Sequence, residues 1–170
     1  MCYNVENIDC IWIGAEESVQ SLHFDDYTFQ GEVDDFHQWV LDGADYNVWN
    51  LYLLEQDIIK IKNSNKWDYL ILDYPFGYCH NMIKKYIDLA VFIDTPLDIA
   101  LARRILRDMK DATADEIRND LQMYMKFSRI AFLQMHKDIL PSSDLVVDGA
   151  KCTKEIVAEI VEAVTLRNRD

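Results

Sequence analysis

Positive charge is scarce in this sequence of 170 residues. Seventeen lysines and arginines stand against 30 aspartates and glutamates, which gives a formal net charge of −13. An acidic surface repels nucleic-acid phosphates and anionic lipids, so the composition opposes binding to nucleic acid or to a membrane. We therefore expect a small or cationic partner, and nothing in the composition excludes a homo-oligomer.

Paired cysteines and long apolar runs are also missing. The four cysteines show neither a Cys-x-x-Cys pair nor the spacing of a zinc site: Cys2, Cys10, Cys79 and Cys152. The first 30 residues lack a basic stretch followed by an apolar core, and no apolar run approaches the roughly 20 residues that span a membrane. We expect a cytoplasmic protein with reduced thiols, folded as one domain over residues 1–170.

The apolar residues that are present indicate an α/β fold. Short apolar runs without polar alternation suit strands that are covered on both faces, as in a parallel sheet. These runs are residues 8–13, 22–24, 69–72, 89–93 and 145–147. Helical patterns lie between them: residues 47–61, a helix opened by Thr95 as N-cap with Pro96 behind it, a long pattern opened by the capping box from Thr113 to Glu116, and a last helix around residues 156–164. The order predicts a mainly parallel sheet with helices on both faces.

Acidic residues directly follow three of the predicted strands. Asp25 and Asp26 follow the second run, Asp73 the third and Asp94 the fourth. Because parallel sheets bind ligands outside the carboxyl ends of their strands, we expect these carboxylates to open on the same edge. A carboxylate there can hold magnesium through water or accept a proton from a hydroxyl. The alternative is that each acid only marks where a strand reaches water.

Three arginines occur close together at Arg103, Arg104 and Arg107. Arg103 and Arg107 are four residues apart, so they share a helix face and repel each other unless an anion lies between them. This spacing is typical of a phosphate site. The alternative is a solvated helix face on which Arg104 pairs with Asp108.

Aromatic residues and histidines give a weaker signal. Tyr27, Tyr46 and Trp49 can stack on a base, but aromatics at such spacing are more often part of a core. The four histidines have no partner at metal-ligand spacing, and we interpret them as structural or surface residues: His23, His37, His80 and His136.

Several of these segments resemble the uridine kinase branch of the P-loop nucleoside kinases. Residues 22–27 (Leu-His-Phe-Asp-Asp-Tyr) resemble its strand and acidic motif, and residues 69–73 (Tyr-Leu-Ile-Leu-Asp) its Walker B strand. Residues 86–95, 103–108 and 143–149 resemble its next strand, its lid helix and its last strand with the loop near the adenine. The resemblance implies a P-loop NTPase-like fold and ATP-dependent phosphorylation of a nucleoside 5′-hydroxyl with magnesium.

The resemblance also implies roles for individual residues. Asp25 corresponds to the general base that takes the hydroxyl proton, and Asp73 to the acid that helps to hold magnesium, so both are implied metal-site residues. A small-molecule nucleoside or a phosphorylated ligand would contact Asp26, Tyr27, Asp45 and Tyr46. The ATP phosphates would be clamped by Arg103, Arg104 and Arg107.

One part of the family pattern has no counterpart in the sequence. A kinase of this class holds the β- and γ-phosphates with Gly-x-x-x-x-Gly-Lys-Ser/Thr, whereas Gly14 is the only glycine before Asp25 and is followed by Ala-Glu-Glu-Ser. Residues 1–21 or thereabouts are thus atypical. A degenerate donor site, an altered or incomplete N-terminus and a different phosphate cradle all remain open. Two other functions also remain open: a non-catalytic protein that binds a nucleoside or phosphate and serves regulation, and a purely structural partner subunit.

Overall fold

The computed structural model describes residues 17–28, 33 and 35–168 of the chain. Strands alternate with helices in these residues, which confirms the predicted α/β class. The strands are β1 (Val19–His23), β2 (Tyr69–Asp73), β3 (Val91–Asp94) and β4 (Leu145–Asp148). The helices are α1 (Phe36–Leu41), α2 (Tyr52–Ser64), α3 (Leu97–Asp108), α4 (Ala114–Met123), α5 (Arg129–Ile139) and α6 (Thr153–Arg167). None of the helices in this part of the chain is both long and apolar enough to cross a membrane.

Local sequence signals set some of the element boundaries and miss others. The capping box is present: the Thr113 hydroxyl accepts from the Glu116 amide at 3.3 Å, and the Glu116 carboxylate accepts from the Thr113 amide at 2.7 Å. Thr95 is not the N-cap of α3, because Pro96 takes that position without any side-chain cap bond. Helix α1 was not predicted, and the strand predicted for residues 8–13 lies outside the described residues.

The helix predicted for residues 47–61 begins later than expected. Residues Tyr46–Val48 form a 3₁₀ turn in which the Asp45 side chain accepts from the Asn47 amide, and the helix starts only at Tyr52. Helices α4 and α5 were predicted as one pattern, and a π-helical turn at Tyr124–Ser128 joins them without a break. The apolar periodicity thus located the elements, while capping side chains moved their ends.

The strands form two parallel pairs. Strand β1 pairs with β2, with His23 opposite Asp73, and β3 pairs with β4, with Asp94 opposite Asp148. Among the described residues, no backbone ladder joins β2 to β3. A cavity of about 910 Å³ lies between these two strands and is lined along their length by residues of both.

Two apolar clusters cover the opposite faces of the strands. Leu70 and Leu72 of β2 and Phe92 of β3 pack on the larger cluster, which includes residues of α1, α2 and α5. Ile71 of β2 packs on the smaller cluster, built on α6, together with its β3 neighbours Val91 and Ile93. Strands β2 and β3 therefore place alternate side chains in the same two layers, as strands of one sheet do.

Candidate functional site

The β1–β2 pair brings three of the predicted acidic residues to one edge. Phe24–Asp26 form a 3₁₀ turn directly after β1, with Asp25 and Asp26 exposed, and Asp73 is the last residue of β2. The Asp73 carboxylate lies 3.4 Å from Nδ1 of His23. The parallel register fixes this proximity, since it places the ends of β1 and β2 side by side.

Asp94 ends β3 beside a second histidine. Its carboxylate lies 3.3 Å from Nε2 of His136 on α5, and the His136 ring also stands edge-on to Phe92 at 5.8 Å. Asp73 and Asp94 both line the cavity between β2 and β3. Sequence reasoning missed both histidines, because neither has a partner at short spacing along the chain. The only available signal was that His23 stands two residues before Asp25.

The end of α6 shows that β2 and β3 run in the same direction. Asn168 donates to the Tyr69 hydroxyl at the start of β2 (2.6 Å), and Arg167 lies 3.8 Å from Asp144, just before β4. Asp144 in turn accepts from the Ala90 amide just before β3 at 2.8 Å. The amino ends of β2, β3 and β4 thus lie near one helix end, which places Asp73 and Asp94 at the opposite, carboxyl edge.

The residues predicted to contact the nucleoside differ in their burial and in their hydrogen-bond partners. Tyr27 is half-buried and donates to Asp57 at 3.0 Å, and burial together with this carboxylate raises the pKa of Tyr27 to about 12. Asp45 caps the turn at Tyr46–Val48, and the amide groups of Asn47 lower the pKa of its carboxyl.

Tyr46 is a core residue. Its ring packs against Trp39 and Phe76 at 5.2 and 5.5 Å, and its hydroxyl donates to Asp138 at 3.0 Å. Only 6% of Tyr46 is exposed, so a base cannot stack on its ring in this conformation.

The three arginines of α3 make separate contacts rather than one cluster. Arg104 is buried and forms a two-pronged ion pair with Asp120 of α4, whereas the alternative interpretation paired it with Asp108, whose carboxyl pKa it also helps to lower. Arg107 binds Asp108, with Nε 2.5 Å from Oδ1, and thereby lowers the pKa of that carboxyl. Arg103 donates to the carbonyl of Gly149 at 2.6 Å.

Gly149 holds the loops after β3 and β4 in close contact. Its amide donates to the Asp94 carbonyl at 2.9 Å, and a Cβ at this position would lie 1.9 Å from Oγ1 of Thr95. With Arg103 bound to its carbonyl, this loop forms one wall of the carboxyl edge. The resemblance of residues 143–149 to the last strand and its loop marked this region of the chain but not the contact.

The acidic residues at this edge fit magnesium better than a transition metal. In the described part of the chain, no three His, Cys, Asp or Glu side chains are grouped to hold a metal ion by themselves. Magnesium is commonly held by one or two carboxylates, with water and substrate phosphates completing its shell. Asp25 and Asp73 offer oxygen ligands of this type on adjacent strand ends.

Comparison with known proteins also indicates similarity to nucleoside kinases. The family model described as "Phosphoribulokinase / Uridine kinase family" matches residues 68–154. The uridine kinase of Psychromonas ingrahamii is 40% identical over 67 residues, which are 38% of this chain and 30% of that protein. The uridine kinase of Aeromonas hydrophila is 36% identical over 80 residues (46% of this chain, 36% of that protein), and that of Schizosaccharomyces pombe is 27% identical over 95 residues (56% and 21%).

These matches cover only part of each relative. The aligned part spans about a third or less of each of these relatives. The family match contains Asp73 and all three α3 arginines, but it begins at residue 68 and so does not include Asp25. It nevertheless covers just over half of the 170 residues, with the parallel strands and helices that such a fold requires. The chain belongs to the phosphoribulokinase/uridine kinase family.

Proposed function

We propose that this chain carries the acceptor side of a nucleoside kinase site, whose reaction is transfer of the ATP γ-phosphoryl group to a nucleoside 5′-hydroxyl. One observation carries the proposal: the parallel β1–β2 register places Asp25, in the turn after β1, on the same edge as Asp73, beside His23. Asp25 is exposed, so a hydroxyl group can approach its carboxylate. In the proposed site it accepts the hydroxyl proton.

Asp73 takes the second role in this site. With Asp25 it would hold magnesium, which when bound neutralises phosphate charge. His23 lies against Asp73, with Nδ1 3.4 Å from its carboxylate, and would help to position it. Tyr27, fixed by Asp57, and the neighbouring Asp26 would contact the nucleoside.

The arginines of α3 remain the proposed groups for the ATP phosphates, with Arg103 and Arg107 the better placed. Arg104 is held in a buried ion pair, and an anion would have to displace Asp120 to reach it. Arg107 faces a competitor that is exposed, since 44% of the Asp108 side chain is accessible. We expect sulfate to bind wild type more tightly than Arg107→Gln by a few-fold; equal binding would limit Arg107 to its contact with Asp108.

Nucleoside binding tests the acceptor site directly. Titration calorimetry with uridine, cytidine and adenosine should give saturable binding of one or more, weakened at least about tenfold in Asp25→Ala, the scale of one lost charge-assisted hydrogen bond. Asp111→Ala, an exposed acid in the turn before α4, is the matched control and should leave binding unchanged. No binding of any nucleoside at millimolar concentration would overturn the proposal.

Phosphoryl transfer is a separate measurement. Positioning and charge neutralisation of the phosphates dominate this reaction, and the 170 residues contain no Gly-Lys-Ser/Thr loop to provide them. We expect the chain alone to transfer phosphate from radiolabelled ATP to uridine barely or not at all, with Asp25→Asn as the blank. Turnover near 1 s⁻¹ that is lost in the blank would show that another cradle supplies the donor site.

A further inference from the structure

Phe76 is in ring contact with several of the segments that carry the proposed acceptor site. It lies in the loop that follows β2 and is 4% exposed. Its ring packs against aromatic side chains of the turn after β1, of the end of β2 and of the segment before α2. The distances between ring centroids are 5.2 Å to Phe24, 5.4 Å to Tyr74, 5.5 Å to Tyr46 and 4.7 Å to Trp49.

Two of these rings are the chain neighbours of the two acids that form the proposed site. Phe24 directly precedes Asp25, and Tyr74 directly follows Asp73. The rings of Phe24 and Tyr74 also contact each other, with centroids 6.1 Å apart, so that with Phe76 they form an aromatic triangle. The position of Asp25 relative to Asp73 therefore depends on the packing of this triangle as well as on the β1–β2 register.

Local contacts define where the Phe76 ring lies. The Phe76 carbonyl accepts from the Cys79 amide at 2.9 Å. His80 is 3% exposed and stacks on the Phe76 ring, with centroids 6.3 Å apart and an interplanar angle of 21°. Nε2 of His80 donates to the Trp49 carbonyl at 3.0 Å, and Nδ1 accepts from the Met82 amide at 3.3 Å. The neighbouring segments thus pack on a ring that its own loop holds in place.

The Tyr74 side chain contributes to the triangle through its ring. Its hydroxyl oxygen is buried and has no hydrogen-bond partner among the residues that the structure describes. Burial raises the pKa of this hydroxyl. Because a buried hydroxyl without a partner lowers stability, the packing of the ring is what Tyr74 adds here.

We propose that Phe76 is a positioning residue of the acceptor site, which holds the turn bearing Asp25 at the distance from Asp73 that a bound nucleoside requires. This inference rests on the proposed function for the roles of the two acids. Groups that bind one ligand must be placed to within about 0.5 Å by neighbours whose own side chains are locked by packing. Phe76 is too buried to contact the ligand itself, so its effect on binding passes through Asp25.

A double-mutant cycle tests whether the effect passes through Asp25. In titration calorimetry with the nucleoside that binds wild type, Phe76→Leu should weaken binding at least about tenfold, because a displaced carboxylate loses its hydrogen bond to the ligand. In the Asp25→Ala background the same substitution should weaken binding less than about threefold. Equal losses in the two backgrounds would overturn the inference.

A matched core variant separates positioning from a general loss of stability. Ile156→Val removes one buried methyl group from the smaller apolar cluster, on α6, and should leave nucleoside affinity unchanged. All variants are compared at a temperature at which circular dichroism shows them folded. A loss of affinity in Ile156→Val as large as that in Phe76→Leu would contradict a specific role for Phe76.

A conservative substitution of Tyr74 tests the ring contacts independently. Tyr74→Leu removes one ring of the triangle and should weaken nucleoside binding at least about fivefold. Tyr74→Phe keeps the ring, loses only the unbonded hydroxyl, and should bind within about twofold of wild type. Equal losses in Tyr74→Leu and Tyr74→Phe would show that the hydroxyl matters and the ring packing does not.

Hydrogen exchange gives a readout that needs no ligand. The Tyr27 amide donates to the Phe24 carbonyl at 3.2 Å and so reports on the turn that carries Asp25. Phe76→Leu should raise the exchange rate of this amide at least about tenfold, and Ile156→Val should not change it. Equal exchange in wild type and Phe76→Leu would overturn the inference, whether or not wild type binds a nucleoside. Absence of nucleoside binding by wild type would instead overturn the proposed function, and faster exchange would then still support the positioning of the turn by Phe76.

Discussion

At the residue scale, the most consequential side chain is Arg104. It is 8% exposed and lies on the inner face of α3, where the two oxygens of Asp120 are its carboxylate partner. A buried guanidinium requires such a partner, because desolvating an unpaired charge is very costly. In the segment that resembles a lid helix, the arginine at this position therefore attaches α3 to α4.

Removing Asp120 should therefore destabilise the protein strongly. We expect Asp120→Ala to lower the free energy of unfolding by about 2–4 kcal/mol, since it leaves the Arg104 charge buried without its carboxylate. The matched control is Asp115→Ala, which breaks the exposed pair with Arg118 and should cost less than about 1 kcal/mol. Urea unfolding of both variants is the measurement. Similar small losses would show that Arg104 finds water or another acceptor.

Asp144 gives a prediction on pH. The Ala90 amide, the Tyr78 hydroxyl and Arg167 lower its pKa from the ordinary 3.8. A lowered folded-state pKa adds stability that is complete above the unfolded pKa and is lost as pH falls through the folded value. The stability advantage of wild type over Asp144→Asn should thus be constant above about pH 5 and shrink below about pH 4. An advantage that grows in acid would contradict the assignment.

At the element scale, the loops after β3 and β4 depend on Gly149. The neighbouring Thr95 and Ile93 leave no room for a Cβ at residue 149. The carboxyl ends of β3 and β4 therefore come close only because no side chain stands between their backbones. The contact also positions the carbonyl that Arg103 binds. One residue without a side chain therefore shapes one wall of the carboxyl edge.

Gly149→Ala should separate these loops. We expect a loss of about 1–3 kcal/mol in thermal or urea unfolding, the usual cost of overpacking, because Thr95 must move to admit the methyl group. Ala150→Ser, at the exposed next position, is the control and should be within about 0.5 kcal/mol of wild type. A neutral Gly149→Ala would show that Thr95 rotates away freely.

The capping box of α4 is a second test at this scale. Thr113→Ala removes the acceptor for the Glu116 amide and should cost about 0.5–2 kcal/mol. Thr113→Ser keeps the hydroxyl and should recover most of that loss. If alanine and serine behave alike, the reciprocal hydrogen bonds do not stabilise α4.

At the scale of the whole molecule, the net charge of −13 is the dominant property. Exposed acids crowd both the surface and the carboxyl edge, and their mutual repulsion disfavours the compact state. Added salt screens this repulsion, since the Debye length falls to about 10 Å at 0.1 M.

We therefore expect the melting temperature to rise between 20 and 300 mM KCl by about 2–4 °C, equivalent to about 1 kcal/mol for a chain of this size. Choline chloride should act like KCl, because screening does not depend on the cation. A fall with salt would mean that attractive ion pairs, such as that of Lys151 with Glu159, outweigh the repulsion.

The sequence by itself determined the features that depend on near neighbours. Unbroken apolar runs specified β2 and β4 nearly to the residue, and the Thr113–Glu116 spacing specified the start of α4, because a few adjacent side chains fix such signals. The family motifs likewise lie within short segments. Only the tertiary structure decided which distant groups meet: His23 with Asp73, 50 residues apart, and Arg104 with Asp120, 16 apart. Within the described residues it also decided which strand edges pair, β1 with β2 and β3 with β4, since such pairing joins segments far apart along the chain and follows from no local pattern.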